Sequence, residues 1–220
     1  MPTRPGPVVG FDLDMTLVDS AAGIHATLAA ACAEVGVTID EAASRRWIGV
    51  PLEDTLRAIA PSVDPDATAA RYRELYPEVG VPPITLLPGA AEAFEAVHDL
   101  AGRVLVVSAK VEPAVRRVLA HVGLDAGRRA PDLVVGGLFA AAKGVRLATE
   151  RADVYVGDHP GDVEAAQVAG AVAVAVATGP HPAADLAAAG ADVVLADLTA
   201  FPAWLRGWDA DRVRDDERAG

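Results

Sequence analysis

Two carboxylates, Asp12 and Asp14, and a hydroxyl, Thr16, follow directly on the short apolar run Val8-Val9-Gly10-Phe11. A run of that length bounded by acid reads as a buried strand that ends in a pair of like charges. Burying like charges this close is costly unless a cation or a shared proton compensates, so the pair asks for a metal ion and a chemical task. Turn chemistry does not account for two carboxylates at this place.

Other residues of the right type also stand just past apolar runs. Ser108 and Ala109 follow Val104-Leu105-Val106-Val107, while Gly157, Asp158 and Asp162 follow Val154-Tyr155-Val156. Lys143 stands on the loop or first helical turn after a run at 133–135. Taken singly, Ser108 and Asp162 read as helix caps and Lys143 as a solvated side chain. Lysine occurs only at 110 and 143, so any chemistry that requires an amine has two candidates. His159 adjoins Asp158, and the remaining histidines show no metal-ligand spacing.

The elements that must position these residues alternate. Strands are expected at about 7–12, 104–107, 133–135, 154–156, 172–176 and 192–195, with helices near 90–100 and 112–122 and Ala-rich helices between the later strands. That order implies a parallel, doubly wound α/β sheet, in which ligands gather beyond the carboxyl ends of the strands. Between residues 19 and 86 the pattern is helical instead: Ile24, Leu28, Ala31, Cys32 and Val35 repeat at helix spacing, and Leu52, Leu56 and Ile59 mark another helix. Pro77, Gly80, Pro82 and Pro83 read as a linker. The domain expectation is a core of 1–18 and 87–220 with a helical insertion at 19–86. The last dozen residues, rich in Asp and Arg, read as a solvated tail.

Composition narrows the partners. With 52% apolar but only 5% aromatic residues, the core must be built from Ala, Val and Leu. A net charge of −12 argues against nucleic acid and against anionic membrane surfaces. The single Cys32 reads as a buried structural thiol, and neither a secretory signal nor a membrane span is evident, so a cytoplasmic protein is expected.

The four motifs together, the DxDxT of Asp12 to Thr16, the strand closing on Ser108, Lys143 and the GDxxxD of Gly157 to Asp162, resemble the haloacid dehalogenase superfamily in their order along the chain. The helical insertion sits where that family carries a C1-type cap, and Ser44 to Leu52 is similar to the cap loop of phosphoglycolate-phosphatase-like members. The resemblance implies a magnesium-dependent phosphatase that acts on a small phosphorylated metabolite through an aspartyl phosphate. It makes Asp12 the nucleophile and Asp14 the acid and base. Asp12, Asp14 through its carbonyl, and Asp158 would hold Mg²⁺. Ser108, the Ala109 N–H and Lys143 would bind the phosphoryl oxygens, and Thr16 and Asp162 would orient Asp12 and Lys143 or a metal-bound water.

The chain departs from the pattern at Met15, where many relatives have glycine, and that side chain is expected to shape the entrance. Gly144 follows Lys143 in place of the frequent proline, and the spacing from Lys143 to Asp158 is short, which keeps Lys110 as a substitute. Arg45 and Arg46 are candidates for reading a carboxylate or second phosphate on the substrate. The alternatives are a sugar phosphomutase of the same superfamily and a member that binds a phosphorylated ligand or a protein without turnover.

Overall fold

The computed structural model describes residues 5–219, with side chains through Arg214. In chain order the elements are β1 (Val8–Phe11), β2 (Val18–Asp19), α1 (Ala21–Ala33), α2 (Glu41–Arg46), α3 (Leu52–Ile59), α4 (Pro65–Val79), β3 (Thr85–Leu86), α5 (Ala90–Asp99), β4 (Arg103–Val107), α6 (Glu112–His121), β5 (Leu133–Val135), α7 (Ala141–Thr149), β6 (Val154–Gly157), α8 (Pro160–Ala169), β7 (Val172–Val176), α9 (Ala183–Ala188), β8 (Val193–Leu195) and α10 (Phe201–Ala219). Six strands form a parallel sheet in the order β5-β4-β1-β6-β7-β8. The expected α/β sheet is present.

Strand alternation divides the core between the two faces of this sheet. Val9, Phe11, Val104, Val106, Val154 and Val156 face one way, where they pack with Phe94, Val97, Phe201 and Leu205 of α5 and α10. Phe11 anchors that face, with ring centroids 5.2 Å from Phe94 and 5.4 Å from Phe201. Leu105, Val107, Tyr155 and Ala173 face the other way, against Leu147 of α7 and Val163 and Ala166 of α8. The Tyr155 hydroxyl, buried on that face, donates to the Val107 carbonyl at 2.7 Å.

An aspartate stands just before three of the strands and ties it to its neighbour. Asp132 accepts from the Val104 N–H, Asp153 from the Val8 N–H and Asp192 from the Ala173 N–H, at 2.7 to 2.8 Å. Each carboxylate thereby satisfies a backbone donor at the amino-terminal rim of the sheet, where an unpaired N–H would be costly. This recurring acid before an apolar run fixes where neighbouring strands begin.

The four helices α1 to α4 leave and rejoin the core through β2 and β3, which pair antiparallel as Val18 with Leu86 and Asp19 with Thr85. The connection to the helical layer is therefore a two-stranded ribbon. Pro77 lies inside α4 and not in a linker. Two residues from the helix end it removes one donor without preventing closure of the last turn. The acidic C-terminal segment also differs from expectation, because α10 continues through it: Arg212 pairs with Asp153 at 2.8 Å and lies over the Trp208 ring. Among the described residues no helix is long and apolar enough to cross a membrane.

Phe11 couples the ring cluster to the strand that carries Asp12. Phe11→Ala should lower unfolding stability by about 3–5 kcal/mol, the usual cost of deleting a buried phenyl ring. Urea denaturation followed by circular dichroism checks this.

Candidate active site

Register brings the sequence motifs together. Phe11 pairs with Val106 on one side and with Val156 on the other, which sets Asp12 level with Val107 and Gly157. Ser108 and Asp158 lie one residue further along. Three separate chain segments thus leave β4, β1 and β6 at one rim of the sheet, where the strand order reverses direction.

Lys143, in the first turn of α7, ties two of these acids. Its Nζ donates to Asp12 Oδ1 and to Asp162 Oδ1, each at 2.7 Å, and all three side chains are buried. The Tyr155 ring lies beneath the ammonium at 5.6 Å. Asp162 also accepts the His159 N–H on its other oxygen, while the His159 imidazole accepts from the Gly161 N–H. Both are parts of the capping box that opens α8. Thr16 donates to Asp158 Oδ1 at 3.0 Å. Thr16 therefore acts on Asp158, not on Asp12 or Lys143.

The electrostatic balance is uneven. The carboxylates of Asp12, Asp158 and Asp162 each offer an oxygen within 4.8 Å of the others. One ammonium faces them. Burial pushes the Asp12 carboxyl up to about 7; Lys143 opposes the rise, and Asp162 and Asp14 add to it. Asp158 is driven well above the carboxylate range by burial first and by Asp162 and Asp12 next. Burial alone would push the Lys143 ammonium down, but Asp12 and Asp162 outweigh it and hold it well above the usual lysine value.

A buried set of hard oxygen donors with two surplus negative charges fits a small divalent cation such as Mg²⁺. Asp162 has both oxygens engaged, so Asp12 and Asp158 are the carboxylates with an oxygen to offer. Space for Asp158 is provided by Gly179, whose Cβ, were there one, would lie 1.7 Å from Asp158 Oδ2. Gly157 does the same for Asp162, at 2.3 Å.

Asp14 belongs to a second pair. Its Oδ2 meets Lys110 Nζ at 2.8 Å, and its Oδ1 is buried with no hydrogen bond. Lys110 lies 4.7 Å from the centre of the Tyr76 ring. Burial would push its ammonium down, yet Asp14, with Tyr76 and Tyr72, holds it well above the usual value. Ser108 is buried, and its Oγ accepts the Lys110 N–H at 3.2 Å. Asp12, Asp14, Ser108, Ala109 and Lys110 line one end of a cavity of about 430 Å³ between the sheet rim and α1 to α4.

The other candidates fall outside this cavity. Arg45 and Arg46 lie exposed on α2 and do not line it. Met15 is 2% exposed and points into the protein, so it does not shape the entrance. Its φ of 59° lies in the left-handed region, which accounts physically for glycine being common there, and Thr178 donates to its carbonyl. Burial holds His159 down at about 4, so it is a neutral cap whose ring packs edge-on against His181 at 4.6 Å. Sequence reasoning kept Lys110 only as a substitute, whereas both lysines enter the site. It missed Gly179 altogether, since no local pattern signals a glycine that makes room for a residue 21 positions earlier.

Comparison with known proteins identifies relatives of this chain. The model of the haloacid dehalogenase-like hydrolase family matches residues 9–167. A tyrosine-protein kinase, PtkA, of Mycobacterium tuberculosis is 30% identical over 190 residues, covering 81% of this chain. The match spans only 64% of the length of that relative. A phosphoglycolate phosphatase of Cereibacter sphaeroides is 32% identical over 185 residues, covering 74% of this chain and 82% of the relative. Among solved structures, a haloacid dehalogenase-like family hydrolase from Streptococcus pneumoniae superposes with a TM-score of 0.77 at 22% identity, covering 90% of this chain and 97% of that one.

Two measurements test the charge balance. Lys143→Met leaves Asp12 and Asp162 facing each other unpaired, and should cost about 3–5 kcal/mol of stability without added metal. A divalent cation should restore part of the loss, as read by thermal unfolding with and without Mg²⁺. Gly179→Ala should displace the Asp158 carboxylate and weaken Mg²⁺ binding by about 10–100-fold in calorimetric titration, with the far-ultraviolet dichroism unchanged.

Proposed function

The chain belongs to the haloacid dehalogenase-like hydrolase family, and from that premise we propose that it is a phosphatase, hydrolysing a phosphate monoester of a small metabolite through a phosphorylated Asp12. The observation that carries this reading is the position of Asp12, which touches Lys143 on one side and lines the cavity on the other. A nucleophile must meet exactly those two demands: contact with a cation that offsets its charge, and access to substrate.

Lys143, bound to Asp12 Oδ1, offsets the charge of the carboxylate that attacks phosphorus. As the bond from Asp12 to phosphorus forms, the bond to the leaving oxygen breaks, and Asp14 delivers a proton to that oxygen from the cavity side. The Ser108 hydroxyl and the Ala109 N–H, both at the cavity, receive the charge that develops on the transferring oxygens. A water then loses its proton to Asp14 and attacks the phosphorylated Asp12, which releases phosphate and restores the carboxylate. When bound, Mg²⁺ would be held by Asp12, Asp158 and the Asp14 carbonyl, and would offset negative charge on nucleophile and phosphoryl group together.

Residues 19–86 serve in this reading as a cap that excludes water while the ester is held. The relative named phosphoglycolate phosphatase supports hydrolysis, with a short acid as one option for the leaving group. The relative named a tyrosine-protein kinase supports a second reading, in which the phosphoryl group on Asp12 passes to an acceptor hydroxyl in place of water.

Phosphate release from p-nitrophenyl phosphate should require Mg²⁺, disappear with a chelator and fall to background in Asp12→Asn. Equal inactivity of the wild type and Asp12→Asn across a panel of phosphoesters would exclude the hydrolase reading. Asp14→Asn should lose about 10²–10⁴-fold on alkyl phosphates. It should lose far less on p-nitrophenyl phosphate, whose leaving group needs no proton. Initial rates on the two ester types, measured side by side, check the difference.

A further inference from the structure

The walls of the cavity beyond the phosphate end carry information on the leaving group, and they point away from a short acid. Its volume of about 430 Å³ lies within the range of sites that enclose ligands well beyond a two-carbon acid. The deeper lining is apolar and aromatic, including Leu28, Ile48, Leu52, Tyr72 and Tyr76, with Trp47 at the rim. Tyr72 and Tyr76 stack on each other at 5.4 Å with an interplanar angle of 25°. Both rings line the cavity as an offset stack, with the Lys110 ammonium over Tyr76. Trp47 and Val111 are 37% and 36% exposed although both line the cavity, so apolar surface continues to its rim.

Two of the three cations that line the cavity are already committed. Lys110 pairs with Asp14 at 2.8 Å, and Arg73 pairs with Glu53 at 2.5 Å. Both carboxylate partners line the same cavity. A substrate carboxylate would have to displace one of these partners or lie beside it, and either is unfavourable. Arg117, the remaining lining cation, is exposed at the edge of the cavity. An apolar ring meets no such competition and gains from leaving water.

We propose that the preferred substrate is a phosphate monoester with an aromatic, ring-bearing leaving group, its ring held between the Tyr72–Tyr76 pair and Trp47. This rests on the hydrolase reading and names the class of ester it acts on.

Benzyl phosphate and phosphoglycolate make the discriminating pair, because both release an aliphatic alcohol and leaving-group reactivity does not bias the comparison. With Mg²⁺ present, kcat/KM should be at least about tenfold higher for benzyl phosphate, and benzylphosphonate should bind at least about tenfold more tightly than phosphonoacetate by calorimetry. Trp47→Ala should reduce the benzyl preference several-fold, read as the ratio of kcat/KM for benzyl phosphate to that for phosphoglycolate.

Phosphate release from phosphoglycolate at an equal or higher kcat/KM overturns the aromatic class and leaves the hydrolase reading standing. Preferential binding of benzylphosphonate without turnover of any ester supports the ligand class and overturns the hydrolase reading. Absence of both binding and turnover overturns both.

Discussion

Surplus negative charge, buried where β1, β4 and β6 end, is the constraint on which the rest of the structure turns. Asp12, Asp158 and Asp162 cannot all be ionised beside a single ammonium without help, and the strong upward pressure on Asp12 and Asp158 expresses that conflict. Each neighbouring feature lessens it. The His159 N–H takes one oxygen of Asp162, the Thr16 hydroxyl takes one of Asp158, and Lys143 bridges the remaining pair. The oxygens left over are the ones a divalent cation needs.

Placing Lys143 there depends on helix packing some distance from the charge. Gly144 lies where a Cβ would come within 2.6 Å of the Ala165 carbonyl and the Val168 side chain, so α7 and α8 approach closely only because residue 144 has no side chain. That approach carries Lys143 to Asp162 on the facing helix.

Much of this was legible in the chain before any coordinates. The alternation of apolar runs with Ala-rich helices gave six parallel strands, because in a sheet buried on both faces the strands are short and apolar throughout. Asp12 and Asp14 could be singled out because paired carboxylates are expensive at the end of a buried strand, and Ser108, Lys143 and Asp158 because the motifs stand in one order along the chain. Contacts that depend on three-dimensional approach were not legible. Thr16 lies four residues from Asp12 yet bonds a side chain 142 residues away, and Arg45 and Arg46, candidates through the likeness of their segment to a cap loop, lie exposed on α2. The C-terminal segment reads as a tail because its residues are polar, whereas it continues the helix whose Trp204 and Trp208, just before it, stack and pack against the core.

The two lysines, alike in burial and in the presence of an acid, differ in what they can release. Lys143 is bound by two carboxylates at equal distance and lies outside the cavity lining, so it is a fixed counter-charge to Asp12. Lys110 has one carboxylate partner and lies over an aromatic ring, and it lines the cavity. An anion that enters competes with Asp14 for Lys110 but has little purchase on Lys143, because two negative partners hold that ammonium against one incoming group. The Asp14–Lys110 pair is thereby coupled to occupancy, and the Lys143 cluster is not.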